Sequence, residues 1–358
     1  MAQKDMKGYW KLFGVLVFAL LVYMTYPFLE GIVYAIFLYY LAKPIKKQLD
    51  KKIESKEITS FIAIITLLSL IVIPTMVSTI YIADTVSKSF PFLIELIENI
   101  LPQEYSEHIN ELVSSIKILD VNYFLELVRS RDIQSIVLEP LKRLTEVFLW
   151  YLLIMFIAFV VGFYFLMDGE SLMGWAVDNA PQRDEKIIDE YIGNMDCALN
   201  RIFVGVFLTM VITLIFALIS LTVLNMVAPA ELKISAALIL GLSVLCGLFN
   251  LLPGVGIKIV WVPTAILFTL QAYFMGTLMA SLWYLLIFAL VMAVIVDFVP
   301  DQILRPYICG AGIHTGLVLL SFVFGTVVFG AKGLFLGPII LVGFIEYMKT
   351  VVPQLSDE

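Results

Sequence analysis

The chain has 358 residues, of which 61% are hydrophobic and 15% charged, and its mean hydropathy is +0.98. A soluble globular protein carries far more charge, so this composition excludes that class and predicts an all-α, polytopic integral membrane protein. The net charge of −7 identifies no partner, because orientation in a bilayer depends on where Lys and Arg lie near the helix ends.

Three apolar segments near the N-terminus predict the first membrane spans, at about 12–26, 28–42 and 58–83. No small-x-small cleavage site follows the first segment, so we expect a retained helix rather than a secretory signal. The loop between the second and third spans is rich in lysine. By the positive-inside rule, this loop and the N-terminus are cytoplasmic.

Residues 84–146 have a different pattern. Their apolar residues recur at the spacing of amphipathic surface helices, as in Leu93, Leu96, Ile97 and Ile100. An odd number of spans precedes them, so we expect an extramembrane helical insert outside the cytoplasm. Two interpretations stay open: a solvated module, or a module whose apolar stripes pack against neighbouring subunits.

A fourth span at about 147–167 returns the chain to the cytoplasm, where residues 168–196 form a polar loop. Further apolar stretches lie at about 202–225, 234–252, 258–274, 276–298, 313–331 and 334–352. The total is about eight spans if one pair is a short re-entrant hairpin, and ten if every stretch crosses. Both termini are then cytoplasmic.

These elements divide the chain into five regions. They are the N-terminal helices (1–83), the insert (84–146), the fourth span with its polar loop (147–201), a transport core with broken helices (202–352) and a short tail (353–358).

Two breaks rich in glycine and proline, at 250–256 and 330–338, interrupt the apolar sequence of the transport core. Paired, interrupted hydrophobic segments indicate a binding site in transporters built from repeats, although Gly and Pro are also common in membrane helices. The residues expected to break helices or form hairpins are Pro253, Gly254, Gly256, Pro306, Gly330, Gly333, Gly337 and Pro338.

A polar run at 297–306 is the strongest candidate site, because an ionisable residue inside a membrane costs at least ~2.5–3.5 kcal/mol. Asp297 follows a long apolar run and could bind a cation, carry a proton or pair with Arg305. A structural ion pair at the membrane boundary is the alternative. The remaining candidates for substrate binding are Asp301, Gln302 and Asn250, whose amide could bind a polyol or Na⁺ or could cap a broken helix.

No pattern in the sequence favours enzyme chemistry. There are two histidines, no metal-ligand spacing and no nucleotide-binding fingerprint, so we expect no metal, no cofactor and no nucleic-acid partner. The three widely spaced cysteines are expected to be small buried hydrophobes.

Four tracts together resemble the autoinducer-2 exporter family of membrane transporters. They are the turn Asp168-Gly169-Glu170 that closes the fourth span, the 250–256 tip, the Leu304-Arg305-Pro306 turn and the 329–338 tract. The sequence departs from the family pattern at Asp301-Gln302. The resemblance implies a multi-pass protein of the cell membrane and a homo-oligomer. It also implies transport of a small furanosyl signalling molecule or sodium/proton antiport.

Three functions follow as hypotheses. The first is export of a small polar solute such as autoinducer-2, and the second is Na⁺/H⁺ antiport with Asp297 as the coupled carboxylate. The third is a non-transporting membrane scaffold whose 84–146 module recruits partners. For either kind of transport, we expect both breaks and the 297–305 run to converge on one hydrated site, because unpaired backbone groups are costly in hydrocarbon.

Overall fold

The computed structural model describes residues 2–77, 139–179, 185–308 and 313–356. Every regular element in this described part is helical, which confirms the all-α fold. Most of the predicted 84–146 insert and Cys309 lie outside it, so the expectation for the insert stays a prediction.

The helices, in chain order, are α1 (Ala2–Thr25), α2 (Leu29–Leu49), α3 (Lys56–Val77), α4 (Glu139–Asp178), α5 (Glu185–Val227), α6 (Ala236–Phe249), α7 (Gly256–Phe274), α8 (Leu278–Val291), α9 (Arg305–Ile308), α10 (Thr315–Phe329), α11 (Gly333–Glu346) and α12 (Val352–Ser356). A π-helix, Met292–Leu304, continues α8, and a second one, Tyr347–Val351, continues α11.

Seven helical stretches of the described part are long and apolar enough to cross a membrane, which confirms a polytopic membrane protein. They are Phe13–Leu49, Lys56–Val77, Thr145–Trp175, Lys186–Val227, Gly256–Phe274, Leu278–Leu304 and Gly316–Gln354. The apolar helix α6 has only 14 residues. At 1.5 Å per residue it is ~21 Å long, too short for a ~30 Å hydrocarbon core, as expected for a re-entrant segment.

Three sequence predictions need correction at the level of local structure. The predicted first two spans are one helical stretch, because Pro27 lies in a 3₁₀ turn, Tyr26–Phe28, where its missing N–H is tolerated. The predicted polar loop 168–196 is mostly helical, since α4 continues to Asp178 and α5 begins at Glu185. Asp168, Gly169 and Glu170 therefore lie within a helix and not in a turn.

The described residues form two compact units. The first comprises those within 1–68, 152–207 and 307–358, and the second comprises those within 69–151 and 208–306. In the first unit, aromatic rings join α2, α5 and α11: Phe37 lies 4.3 Å from Phe335 and 5.5 Å from Phe203, between ring centroids. In the second unit, α7 and α8 share a core that includes Phe268, Tyr284 and Phe288.

In the first unit, α10 and α11 form a tight hairpin. Its connection is the 3₁₀ turn Gly330–Lys332, which begins at a positive φ of 69° that only glycine adopts readily. The break is therefore shorter than the predicted 330–338, and Gly333, Gly337 and Pro338 lie inside α11. A Cβ at Gly333 would collide with the backbone oxygen of Gly325, so these glycines serve close helix packing.

Candidate functional site

The first break and the polar run meet in the second unit. The tip 250–255 is a turn between α6 and α7, and Gly254 has a φ of 78°. Opposite it lies the π-helix, Met292–Leu304, which contains Pro300. The π-helix is rare and occurs mostly as single-turn bulges, which are frequent at functional sites.

Three contacts connect the tip to the π-helix and the first residue after it. On each side the contacting residues are four positions apart, and the two segments run in opposite directions. The contacts join Asn250 with Arg305, Gly254 with Asp301, and Lys258 with Asp297. We call this set the polar ladder; its charges are two carboxylates and two cations, so it is neutral.

The buried end of the polar ladder is centred on Arg305. Its Nε lies 3.1 Å from Oδ1 of Asp301, and its Nη2 donates to the Oδ1 of Asn250 at 2.9 Å and to the Asn250 backbone carbonyl. The second oxygen of Asp301 accepts from the Gly254 N–H at 2.7 Å. Both side chains of the ion pair are at most 5% exposed. At this end the two charges are paired with each other, and their contacts fix the tip to the π-helix.

Asn250 extends the buried end into α5. Its Nδ2 donates to the Thr213 hydroxyl at 2.9 Å, and that hydroxyl donates to the Thr209 carbonyl at 2.8 Å. Because Arg305 is only a donor, it fixes the Asn250 oxygen towards itself and the amide nitrogen towards Thr213. Asn250 therefore connects the tip to α5 as well as ending α6.

The other end of the polar ladder is partly open. Lys258 Nζ lies 2.8 Å from Oδ2 and 3.1 Å from Oδ1 of Asp297, and it also donates to the Gly254 carbonyl at 2.7 Å. The Trp261 indole N–H is 3.5 Å from Oδ2 of Asp297, at the limit of a hydrogen bond. The Asp297 side chain is 9% exposed, whereas that of Lys258 is 48% exposed.

The structure separates the sequence candidates into groups. Asn250, Gly254, Asp297, Asp301 and Arg305 come together in the polar ladder. Gln302 is exposed and reaches Asp301 only at 3.4 Å, and Pro306 lies in α9 next to Arg305. Pro253 is in the tip, and Gly256 begins α7 where a Cβ would collide with the Phe249 carbonyl.

The alternative pairing of Asp297 with Arg305 is wrong. Arg305 instead binds Asp301, one turn away, and Asp297 binds Lys258 on α7. The second break and the residues Asp168, Gly169 and Glu170 belong to the first unit. Convergence of both breaks on one site therefore stays a prediction.

Sequence reasoning missed three residues of this site: Lys258, Trp261 and Thr213. Lys258 had a detectable signal, because it is the only charged residue in the sequence of α7. A lone cation in an apolar helix needs an anion, and Asp297 is a charged residue in a neighbouring apolar stretch. Thr213 and Trp261 carry no such signal, since both residue types are ordinary in membrane helices.

Apolar membrane-length helices, a re-entrant-type hairpin and buried charges at its tip together define a polytopic α-helical protein of the class that includes secondary transporters. Comparison with known sequences agrees with this class. Residues 12–352 match the model of the AI-2E family transporter, so the chain belongs to that family, as its motifs indicated.

Relatives of similar length carry names that mark them as candidate transport proteins. One from Methanocaldococcus jannaschii is 25% identical over 341 residues and 90% of each chain. One from Archaeoglobus fulgidus is 27% identical over 351 residues, which is 94% of this chain and 93% of the relative. One from Aquifex aeolicus is 25% identical over 346 residues, 89% of this chain and 88% of the relative. No solved structure matches the chain.

Proposed function

We propose that this membrane transporter is cation-coupled and that Asp297 binds the coupled ion, H⁺ or Na⁺. The observation that carries the proposal is the unequal exposure of one ion pair. Asp297 is almost buried, whereas the side chain of its partner Lys258 is 48% exposed. In this proposal the exposed side of Lys258 faces water, so the lysine can leave the carboxylate at little cost, but the carboxylate cannot follow.

A buried carboxylate without a counter-charge is strongly disfavoured. When Lys258 leaves, Asp297 must be neutralised by a proton or a metal cation. Binding of the ion and binding of the lysine are then mutually exclusive, which gives two states with different charge at the tip. Alternating between two such states is what a coupled transporter requires.

The position of the Lys258 ammonium also suits Na⁺. It lies between the Asp297 carboxylate and the Gly254 carbonyl, at 2.8 Å and 2.7 Å. Oxygen ligands of this kind are those that hard cations prefer, and unwound backbone carbonyls coordinate Na⁺ in transporters with broken helices. Departure of the lysine would free both ligands together.

A second candidate function is export of a small polar solute such as autoinducer-2, driven by the same ion. Its support is membership of the AI-2E transporter family. In both functions the coupled ion binds Asp297. In solute export the ion moves opposite to the solute, and in cation exchange Na⁺ moves opposite to H⁺.

The test uses the full-length protein reconstituted in liposomes. We expect an imposed Na⁺ gradient to drive proton movement, reported by an internal pH dye. Asp297→Asn should abolish this flux, and Glu231→Gln, which changes an exposed acid of the same unit, should leave it intact. Wild-type flux from Asp297→Asn would overturn the proposal. Uptake of labelled autoinducer-2 into inverted vesicles, with and without the Na⁺ gradient, tests the second candidate.

We also propose that the protein is a homo-oligomer. The apolar residues of α1 that the structure describes, 13–24, are almost all exposed within one chain, and neighbouring subunits would cover part of them. Light scattering in several mild detergents tests this, and a monomer in all of them would contradict it.

A further inference from the structure

The first unit contains a pocket of about 320 Å³ lined by α2, α4, α5 and Ile339 of α11, with one charged side chain, Asp196, in its wall. The pocket contains none of the residues of the polar ladder. Apart from Asp196, its lining consists of apolar and aromatic side chains and Gly169. The lining residues that matter below are Tyr39, Tyr40, Phe165, Leu172, Met173 and Asp196.

At one side of this pocket, an ammonium group sits between a carboxylate and two aromatic rings. Lys43 Nζ is 2.8 Å from Oδ2 and 3.1 Å from Oδ1 of Asp196. The same nitrogen is 5.1 Å from the ring centroid of Tyr39 and 5.9 Å from that of Tyr40. These distances are within the ~6 Å range of cation–π attraction.

The Lys43 ammonium therefore occupies a complete recognition site for a cation: one carboxylate and two ring faces, all with negative potential. The side chains of Lys43 and Asp196 are 21% and 23% exposed, so a solute can reach both. The apolar remainder of the pocket, which includes Phe165, Leu172 and Met173, is next to this site and is not filled by the lysine.

We propose that this pocket binds a lipophilic organic cation, which takes the place of the Lys43 ammonium on Asp196 and buries its apolar body among the aliphatic and aromatic side chains. Lys43 is then a tethered competitor whose ammonium balances the charge of Asp196 while the pocket is empty. An anionic amphiphile is disfavoured, because its charge would lie beside the Asp196 carboxylate and the negative ring faces. This site is independent of the ion binding proposed for Asp297.

The two charged residues give opposite predictions. Removing the competitor with Lys43→Ala should strengthen binding of the cation by about tenfold, and Asp196→Asn should weaken it by a similar factor, ~1.4 kcal/mol. Tyr39→Leu should weaken binding, whereas Tyr39→Phe, which keeps the ring, should bind like the wild type. Asp189→Asn changes an exposed acid on the same helix and is the matched control.

The experiment is equilibrium dialysis of the full-length protein in detergent against benzyltrimethylammonium, with benzenesulfonate as an anion of similar size. We expect the cation to bind the wild type and Asp297→Asn equally, and benzenesulfonate to bind neither. The proposal is overturned if Lys43→Ala weakens cation binding or if Asp196→Asn leaves it unchanged. Preferential binding of benzenesulfonate that Lys43→Ala abolishes would identify an anion site instead.

Discussion

Lys258 and Asp297 form an ion pair at 2.8 Å in which the same lysine nitrogen also holds the Gly254 carbonyl at 2.7 Å. At the other end of the polar ladder, Arg305 and Asp301 form a second ion pair, in which both side chains are buried. The two pairs therefore have different roles. The buried pair holds the tip in place, whereas opening of the half-exposed pair frees both the Asp297 carboxylate and the Gly254 carbonyl.

The first prediction concerns Lys258→Met, which keeps the aliphatic stem and removes the ammonium. Without this competitor, Na⁺ should bind the tip more tightly than in the wild type, while Na⁺-driven proton flux falls because the second state is lost. Tighter binding appears as a larger rise in unfolding temperature with added NaCl, because a ligand stabilises only the state that it binds. Potassium chloride at the same concentration controls for ionic strength.

The double variant Asp297→Asn/Lys258→Met separates ion binding from a general salt effect. It lacks both charges of the pair, so its unfolding temperature should respond equally to NaCl and KCl. If Lys258→Met responds to Na⁺ no more than the wild type does, the ammonium is not competing for a cation site.

The second prediction concerns Arg305→Met at the buried end of the polar ladder. This change leaves the Asp301 carboxylate buried beside a methionine, and breaking a buried ion pair from one side costs ~3–5 kcal/mol. We expect a loss of this order in the free energy of unfolding in detergent, measured by denaturant titration. Asp301→Asn/Arg305→Met should recover part of the loss because no charge is then unpaired. A double variant that is less stable than Arg305→Met would contradict this account.

Much of this arrangement can be predicted from sequence, because a broken helix and a charged side chain are each energetically unfavourable in hydrocarbon. A Gly/Pro break at 250–256 and carboxylates at 297 and 301 are conspicuous in sequence that is otherwise apolar. Polar groups of this kind are expected to contact one another rather than lipid. In the structure Asn250, Asp301 and Arg305 are indeed in contact. Short-range sequence signals thus identified these parts of the polar ladder.

The pairing within the polar ladder could not be predicted in the same way. The sequence places Asp297 and Arg305 in one run, but the partner of Asp297 lies 39 positions earlier, on α7. That choice depends on how the tip lies against the π-helix. The glycines mislead for a related reason: Gly333 and Gly337 predict chain breaks, yet each lies inside a helix where a Cβ would collide with the backbone of α10.

The third prediction compares two glycines by the space around them. A Cβ at Gly333 would collide with the backbone of Gly325, so Gly333→Ala must push α10 and α11 apart. Gly174 also lies in a helix, but a Cβ there meets nothing within 4 Å. We expect Gly333→Ala to lower the unfolding temperature and impair transport, and Gly174→Ala to be neutral or stabilising by up to ~1 kcal/mol. Equal effects of the two changes would argue against tight hairpin packing.

The fourth prediction concerns the 84–146 insert, which we expect outside the cytoplasm, because one membrane-length helix, Lys56–Val77, separates it from the lysine-rich loop that the positive-inside rule places inside. Cysteines introduced at Glu104 and Glu111, in a variant lacking the native cysteines, should react with an impermeant thiol reagent added to intact cells. A cysteine introduced at Lys51, in the lysine-rich loop, should react only after permeabilisation. The reverse pattern would invert the predicted orientation.

The last prediction concerns Thr213, through which the tip is connected to α5. Thr213→Val has nearly the same shape but cannot accept the Asn250 N–H, and leaving a buried donor unpaired costs ~1–3 kcal/mol. Thr222→Val is the matched control, because the Thr222 hydroxyl bonds only the Leu218 carbonyl of its own helix at 2.6 Å, and such bonds add little to helix stability. Denaturant titration should therefore show a loss of unfolding free energy for Thr213→Val and almost none for Thr222→Val. Thr213→Val should also slow Na⁺-driven flux, since an Asn250 released from α5 orients Arg305 less strictly. Equal stability of the two variants would mean that the tip does not depend on this contact.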